Sequence, residues 1–186
     1  MSKIFGYLIN MLPYMMIAVP VIVVFRLLLT NRLKKRGLQT SVFHEIGMCI
    51  FFMFLVGLAS QTIIPKLEFG NGTTGLVNGN LIGEMNFIPG MVFADIYREC
   101  IQNGYYLYFV INFIGNICLF IPVGFCIPLL WENISLKKVV LIALSSSIFI
   151  ELCQFPQARG TDIDDLWINT FGAILGFLVS VKRKAT

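Results

Sequence analysis

The chain has 186 residues, of which 57% are hydrophobic and only 13% are charged, with a formal net charge of +4. A soluble domain usually carries about 25% charged residues. This composition excludes a disordered chain, a nucleic-acid-binding arm and an ordinary soluble enzyme, because the apolar surface exceeds what a compact core of this length can bury. We therefore predict one integral membrane domain over residues 1–186.

Long apolar segments account for most of the chain. A helix needs about 20 apolar residues to cross a bilayer. Arg26 is the only charge in the first segment, and Glu151 is the only charge between Lys138 and Arg159. The predicted fold is an all-α membrane protein, a five-helix transmembrane bundle with spans at about residues 5–29, 43–64, 105–131, 138–157 and 163–181.

The basic residues predict the orientation of this bundle. Short cytoplasmic loops hold an excess of Lys and Arg. One topology places all three basic groups inside, with the N-terminus outside and the C-terminus inside. These groups are Arg32 to Arg36, Lys137 with Lys138, and Lys182 to Lys184. The positive charge is therefore a topology signal, and no nucleic-acid partner is expected.

Residues 65–104 form one long extracytoplasmic loop in this topology. Its first part is rich in Gly and Asn, which is typical of loops. Further on, apolar residues alternate with Asp95, Arg98 and Glu99. This pattern predicts a short amphipathic helix on the outer surface, introduced by Asn86-Phe87-Ile88-Pro89.

Polar residues inside the fourth span indicate a functional site, since charges at membrane depth are costly. Ser147, Glu151 and Gln154 follow a spacing of i, i+4 and i+7, which places them on one helical face. Arg159, in the outer segment that follows, is the nearest candidate cation for Glu151.

The fifth span begins with a cluster of carboxylates. Asp162 and Asp165 have the spacing of a helix N-cap and its capping-box partner. Helix capping does not explain Asp164, Arg159 and Glu151. We therefore predict a ligand-binding cluster beside the start of the fifth span. The predicted binding residues are Asn112, Asn116, Glu151, Gln154, Arg159, Asp162, Asp164, Asp165 and Asn169.

Small residues and a proline predict how the later spans pack. Pro122 removes a backbone donor and bends the third span beside Asn112 and Asn116. Gly172 and Gly176 form a GxxxG pattern, which permits close packing of helices within the chain. The predicted structural residues are Phe120, Pro122, Gly124, Gly172 and Gly176.

The five cysteines and one histidine show no zinc-binding pattern, because no C-x-x-C spacing occurs. No cofactor is expected. A divalent cation at the acidic segment and the oligomeric state both stay open.

Three spaced blocks lie in the second half of the chain: Asn116-x-x-x-Phe120-x-Pro122-x-Gly124, Glu151-x-x-Gln154, and Arg159-x-x-Asp162-x-Asp164-Asp165-x-x-x-Asn169-x-x-Gly172. They resemble the signature of VanZ-like membrane proteins, and the Asn86-Phe87-Ile88-Pro89 stretch resembles a weaker block before them. The resemblance covers about residues 86–181, and the first two spans carry no pattern that we can assign. It implies a small multi-pass protein of the bacterial cytoplasmic membrane, in a family whose namesake gives low-level resistance to the glycopeptide teicoplanin.

Three functions remain open. The first is a cell-envelope protein that recognises an amphiphile at the outer leaflet, either a lipoglycopeptide such as teicoplanin or a lipid-linked cell-wall precursor. Arg159 would contact phosphate or carboxylate, and the carboxylates would take an amine or a divalent cation.

The second function is an integral-membrane enzyme acting on a lipid headgroup or acyl chain, with a carboxylate as general base but no evident nucleophile. The third is a small secondary transporter, although no internal repeat is present.

Overall fold

A computed structural model describes residues 2–38, 40–64, 69–70, 73–74, 85–155 and 161–185. Helices dominate this part of the chain, and the strands are only two residues long. The helices are α1 (Ser2–Lys35), α2 (Val42–Thr62), α3 (Met91–Ile96), α4 (Leu107–Phe109), α5 (Gly115–Leu130), α6 (Leu136–Gln154) and α7 (Ile163–Ala185). The strands are β1 (Phe69–Gly70), β2 (Thr73–Thr74), β3 (Met85–Asn86) and β4 (Thr161–Asp162).

The chain divides into two compact units, Met1–Ile64 and Pro65–Thr186. In the first unit, α1 packs against α2. Ser41 caps α2, because its side-chain oxygen accepts a hydrogen bond from the backbone N–H of His44 at 3.2 Å. The two helices are also joined by an ion pair, in which the Arg26 guanidinium lies 2.7 Å from the Glu45 carboxylate.

Four of the described helices are long and apolar enough to cross a membrane, judged by length and composition. They are Ile9–Lys35, Val42–Thr62, Leu107–Leu130 and Ile163–Arg183. The predicted fourth span is present as the 19-residue helix α6, but it is not among these four. Its Lys137, Lys138 and Glu151 add charge to an otherwise apolar sequence. The structure therefore supports a helical protein with four candidate spans.

The third predicted span is one continuous helical stretch with a local change of geometry. α4 runs into a π-helical segment, Val110–Ile114, which leads directly into α5. A second π-helical segment, Tyr97–Gln102, extends the short helix α3 within the predicted long loop. Such π-helical turns are uncommon and occur often at functional sites.

In the second unit, α7 is the central helix, since it packs along α5 and also against α6. Apolar side chains from all three helices form the core. The fully or almost fully buried ones include Phe120, Val123, Val139, Ala143, Ile168 and Ala173.

Glycines allow α5 and α7 to approach until their backbones touch. A Cβ atom at Gly124 of α5 would overlap the carbonyl oxygen of Ala173 on α7. From the other side, Cβ atoms at Gly172 and Gly176 would overlap the carbonyl oxygens of Ile117 and Ile121. The contact therefore requires hydrogen instead of a side chain at all three positions.

A small parallel sheet positions the segments that precede α3 and α7. β3 pairs with β4 in a register that places Met85 opposite Thr161 and Asn86 opposite Asp162. The pairing brings the start of α3 close to the start of α7. The polar cluster described next lies at this junction.

Candidate functional site

Asp162 begins the polar cluster as the N-cap of α7. Its Oδ1 accepts a hydrogen bond from the backbone N–H of Asp164 at 2.9 Å, as an N-cap side chain does. The same oxygen accepts a second bond from the side-chain amide of Asn86 at 2.9 Å. Burial raises the pKa of the Asp162 carboxyl group above its usual value, while these two donors act in the opposite direction.

Glu151 of α6 supplies the other half of this cap. Its Oε2 accepts a hydrogen bond from the backbone N–H of Asp162 at 2.9 Å, and the residue is only 5% exposed. A capping box would have used Asp165 for this bond. That part of the prediction is wrong, because the Asp165 carboxylate turns towards α5 while a carboxylate from the neighbouring helix takes its place.

Asp164 fastens α7 to α3. Its side chain is fully buried and accepts three hydrogen bonds, from the backbone N–H groups of Gly90 (2.7 Å) and Val92 (2.8 Å) and from the indole of Trp167 (2.8 Å). The two backbone donors belong to the unpaired first turn of α3, where a negative charge is favourable. The carboxylate of Asp164 is thus bound by donors of the chain itself.

Polar contacts join the three core helices α5, α6 and α7 through Asp165, Ser147 and Asn169. The Asn116 amide on α5 donates to the Asp165 carboxylate at 2.6 Å. The Ser147 hydroxyl on α6 lies 3.3 Å from the Asp165 carbonyl oxygen, to which it donates, and accepts from the Asn169 amide at 2.9 Å. We call Asn116, Ser147, Glu151, Asp165 and Asn169 the acid–amide cluster.

The remaining predicted binding residues are placed differently. Asn112 lies in the π-helical segment Val110–Ile114 and is exposed, and its side chain makes no hydrogen bond within the described part of the chain. Gln154 is half-buried at the last residue of α6. Arg159 lies outside the described residues, so its predicted contact with Glu151 stays a prediction.

The predicted structural residues lie at or beside the contact between α5 and α7. Gly124, Gly172 and Gly176 form the close backbone contact described above. Phe120 is 1% exposed in the core, and Pro122 is half-buried on the same helix.

A cluster of aromatic rings lies beside the N-terminal end of α7. Trp167 stacks on Phe93 of α3 with ring centroids 5.9 Å apart, and it meets Phe113 at 6.1 Å. Phe109 stacks on Phe113 at 5.4 Å. Phe93 and Trp167 remain 59% and 39% exposed, so part of this aromatic cluster faces outward.

Three hydrogen-bond partners in the site are absent from the predicted binding residues: Asn86, Ser147 and Trp167. Asn86 lies in the Asn86-Phe87-Ile88-Pro89 block, but its bond to Asp162 depends on the pairing of β3 with β4. Ser147 shares a helical face with Glu151, and the sequence predicts no role for it. Trp167 carried no signal beyond its position one turn after Asp164, where side chains three residues apart on a helix are neighbours.

The charges of the cluster are all negative among the described residues. No described cation pairs with Glu151 or Asp165. Within the same part of the chain, no group of three or more His, Cys, Asp or Glu side chains is arranged to hold a metal ion.

These features define a class of protein: a helical membrane protein with acidic and amide side chains where three helices meet, next to partly exposed aromatic rings. The model of the VanZ/LLP1 family matches residues 46–182. The chain therefore belongs to the VanZ/LLP1 family, which is linked to glycopeptide resistance. No curated protein and no solved structure matches the chain.

Proposed function

We propose that this protein lies in the bacterial cytoplasmic membrane with five spans, its first span beginning outside and its last ending inside. The proposal adds α6, the fourth span in chain order, to the four candidate helices. It is supported by the three basic groups, which one topology places on the cytoplasmic side. The acid–amide cluster then lies near the outer face.

Cysteine accessibility tests this orientation. In a cysteine-free background, Asn103→Cys is expected to react with a membrane-impermeant maleimide in intact cells, and Glu132→Cys only after the cells are opened. Both positions are exposed in the structure, so burial does not explain a difference between them. Labelling of position 132 and not of position 103 in intact cells would reverse the topology.

The proposed activity is recognition of an amphiphile at the outer leaflet, either a lipoglycopeptide or a lipid-linked cell-wall precursor, with a contribution to glycopeptide resistance. The observation that carries the proposal is the junction of two chemistries at the start of α7. Buried carboxylates and amides lie there beside an aromatic cluster that is partly exposed. The polar group of an amphiphile would contact the carboxylates and amides, and its acyl chain would contact the aromatic cluster.

The aromatic cluster supports a position at the boundary between lipid and water. Aromatic side chains are enriched at that depth of a membrane. Asp164 holds α3 against the first turn of α7, so Phe93 and Trp167 are fixed at the end of a candidate span. We assign Asp164 to positioning, and we assign Glu151, Asp165 and Asn116 to ligand contact.

A resistance assay in a susceptible bacterial host tests the proposed activity. Expression of the protein is expected to raise the inhibitory concentration of teicoplanin more than that of a glycopeptide without an acyl chain. An acyl tail gains about 0.8 kcal/mol per buried methylene and concentrates the acylated drug at the site. Glu151→Gln is expected to remove this protection while the protein still accumulates in the membrane.

The matched control is Glu132→Gln, which makes the same chemical change at an exposed position in the turn between α5 and α6. It is expected to protect as well as the unaltered protein. Equal protection against both drugs, or full protection by Glu151→Gln, would contradict recognition of an amphiphile at this site.

A further inference from the structure

Two carboxylates of the acid–amide cluster, one buried and one half-buried, have no countercharge among the described residues. Glu151 is 5% exposed and Asp165 is half-buried, and no described cation pairs with either. Their described donors are neutral: the backbone N–H of Asp162 for Glu151 and the Asn116 amide for Asp165. A buried carboxylate is costly unless charge or hydrogen bonds compensate it.

An independent feature of the cluster is an acceptor without a donor. Asn169 is 4% exposed, and its side-chain Oδ1 has no hydrogen-bond partner in the part of the chain that the structure describes. Its amide nitrogen is already engaged, because it donates to the Ser147 hydroxyl at 2.9 Å. Buried polar atoms in native proteins are nearly always paired, so an orphan acceptor indicates a missing donor.

The orphan oxygen and the carboxylates belong to facing helices. Asp165 and Asn169 are one turn apart on α7, and Ser147 and Glu151 are one turn apart on α6. The bonds from Asn169 to Ser147 and from Ser147 to the Asp165 carbonyl join these two faces. The two helices thus carry these acceptors within one hydrogen-bonded cluster.

Exposure decreases along the polar residues that lead to this region. Asn112 is exposed, Asn116 and Asp165 are half-buried, and Ser147 and Asn169 are buried. Hydrogen bonds join Asn116 to Asp165, Asp165 to Ser147 and Ser147 to Asn169, from the half-buried to the buried end of the cluster. This gradient suits a ligand with a charged tip.

We propose that the acid–amide cluster binds the primary ammonium group of an amphiphile; this inference rests on the proposed function and names the polar group recognised. A primary ammonium carries one positive charge and three N–H donors. Its three N–H donors equal in number the three acceptors named above, the Glu151 and Asp165 carboxylates and the Asn169 Oδ1, and its charge offsets that of one carboxylate. A divalent metal ion is disfavoured, since no described group of three ligating side chains is arranged to hold one.

The ammonium group has two sources with the same chemistry, a lipid headgroup or a free amine of the glycopeptide. Native mass spectrometry of the full chain in detergent distinguishes them. One arm compares phosphatidylethanolamine with phosphatidylcholine of identical acyl chains, because both carry a cationic nitrogen but only the first has N–H donors. The other arm compares teicoplanin with the same compound after N-acetylation of its free amines.

In at least one arm, the compound with the free ammonium is expected to bind about tenfold more tightly, the factor that one charge-assisted hydrogen bond commonly supplies. Asp165→Asn is expected to abolish this preference, and so is Glu151→Gln. Each replacement keeps an oxygen acceptor for its described donor and so preserves the fold. Glu132→Gln is expected to retain the preference.

No preference in either arm, or a preference that survives both replacements, would overturn the ammonium site. The resistance assay separates this failure from failure of the proposed function. Protection against teicoplanin without any preference for the free amine would leave amphiphile recognition standing and refute only the ammonium group as the feature recognised.

Discussion

Alanine in place of Gly124 is expected to lower the free energy of unfolding by about 3 kcal/mol, at the upper end of the usual cost of overpacking. The added methyl group would overlap the backbone carbonyl of Ala173, which cannot move aside as a side chain can. Relief requires α5 and α7 to separate along their main contact. Thermal unfolding of the purified protein in detergent measures the loss.

Gly115→Ala is the matched control, since it makes the same change on the same helix. Its Cβ atom would lie 3.4 Å from the Val110 carbonyl oxygen, at the edge of ordinary contact. Because alanine is the better helix former, the control is expected to be neutral or slightly stabilising. Equal stability of both variants would show that the close approach of α5 and α7 does not exist in the membrane protein.

Asp164→Ala is expected to destabilise the protein by about 4 kcal/mol, because it leaves three donors without an acceptor, one of them in a buried bond and two in part-buried bonds. The two backbone donors lie at the start of α3, so the replacement is expected to release α3 from α7 before global unfolding. Hydrogen exchange at the amides of Gly90 and Val92 reports this release, and thermal unfolding reports the total cost.

Asp162→Asn is the control for Asp164→Ala. Asparagine caps a helix about as well as aspartate, and it keeps an oxygen for the Asp164 and Asn86 donors. The free energy of unfolding of Asp162→Asn is expected to fall by less than about 1 kcal/mol. Unchanged exchange at Gly90 and Val92 in Asp164→Ala would contradict the role of this carboxylate as a link between the helices.

The role of Asp164 also affects how resistance measurements are interpreted. A loss of resistance in Asp164 variants is expected to accompany a loss of protein from the membrane, because the residue acts through the fold. Glu151→Gln is expected to lose resistance at a normal protein level. Quantifying the protein in the membrane fraction therefore separates positioning from ligand contact.

Composition and periodicity were enough to predict the helices. Each predicted span lies on a helical stretch of the structure, because an apolar run of about 20 residues has few alternatives to a helix in lipid. Four of these stretches are candidate spans, and a membrane crossing by α6 stays a proposal. The family was likewise evident in the blocks around Asn116, Glu151 and Asp162, and the family match over residues 46–182 confirms it.

The partners of the polar residues depended on tertiary structure. Sequence spacing relates side chains on one helix, and it places Ser147 and Glu151 on one face of α6. It could not show that β3 and β4 pair, and that pairing places Asn86 beside Asp162. Hence the capping box was assigned within α7, although Glu151 of α6 makes the bond.

Asp164 is the clearest example of this limit. Its position in the first turn of α7 follows from the sequence. Because helix capping does not require this carboxylate, the sequence predicts a role for it in ligand binding. Only the packing of α3 against α7 decided that backbone donors 72 and 74 residues earlier in the chain occupy its carboxylate. Local sequence determined which segments are helices, whereas contacts between distant segments decided which donors each acid binds.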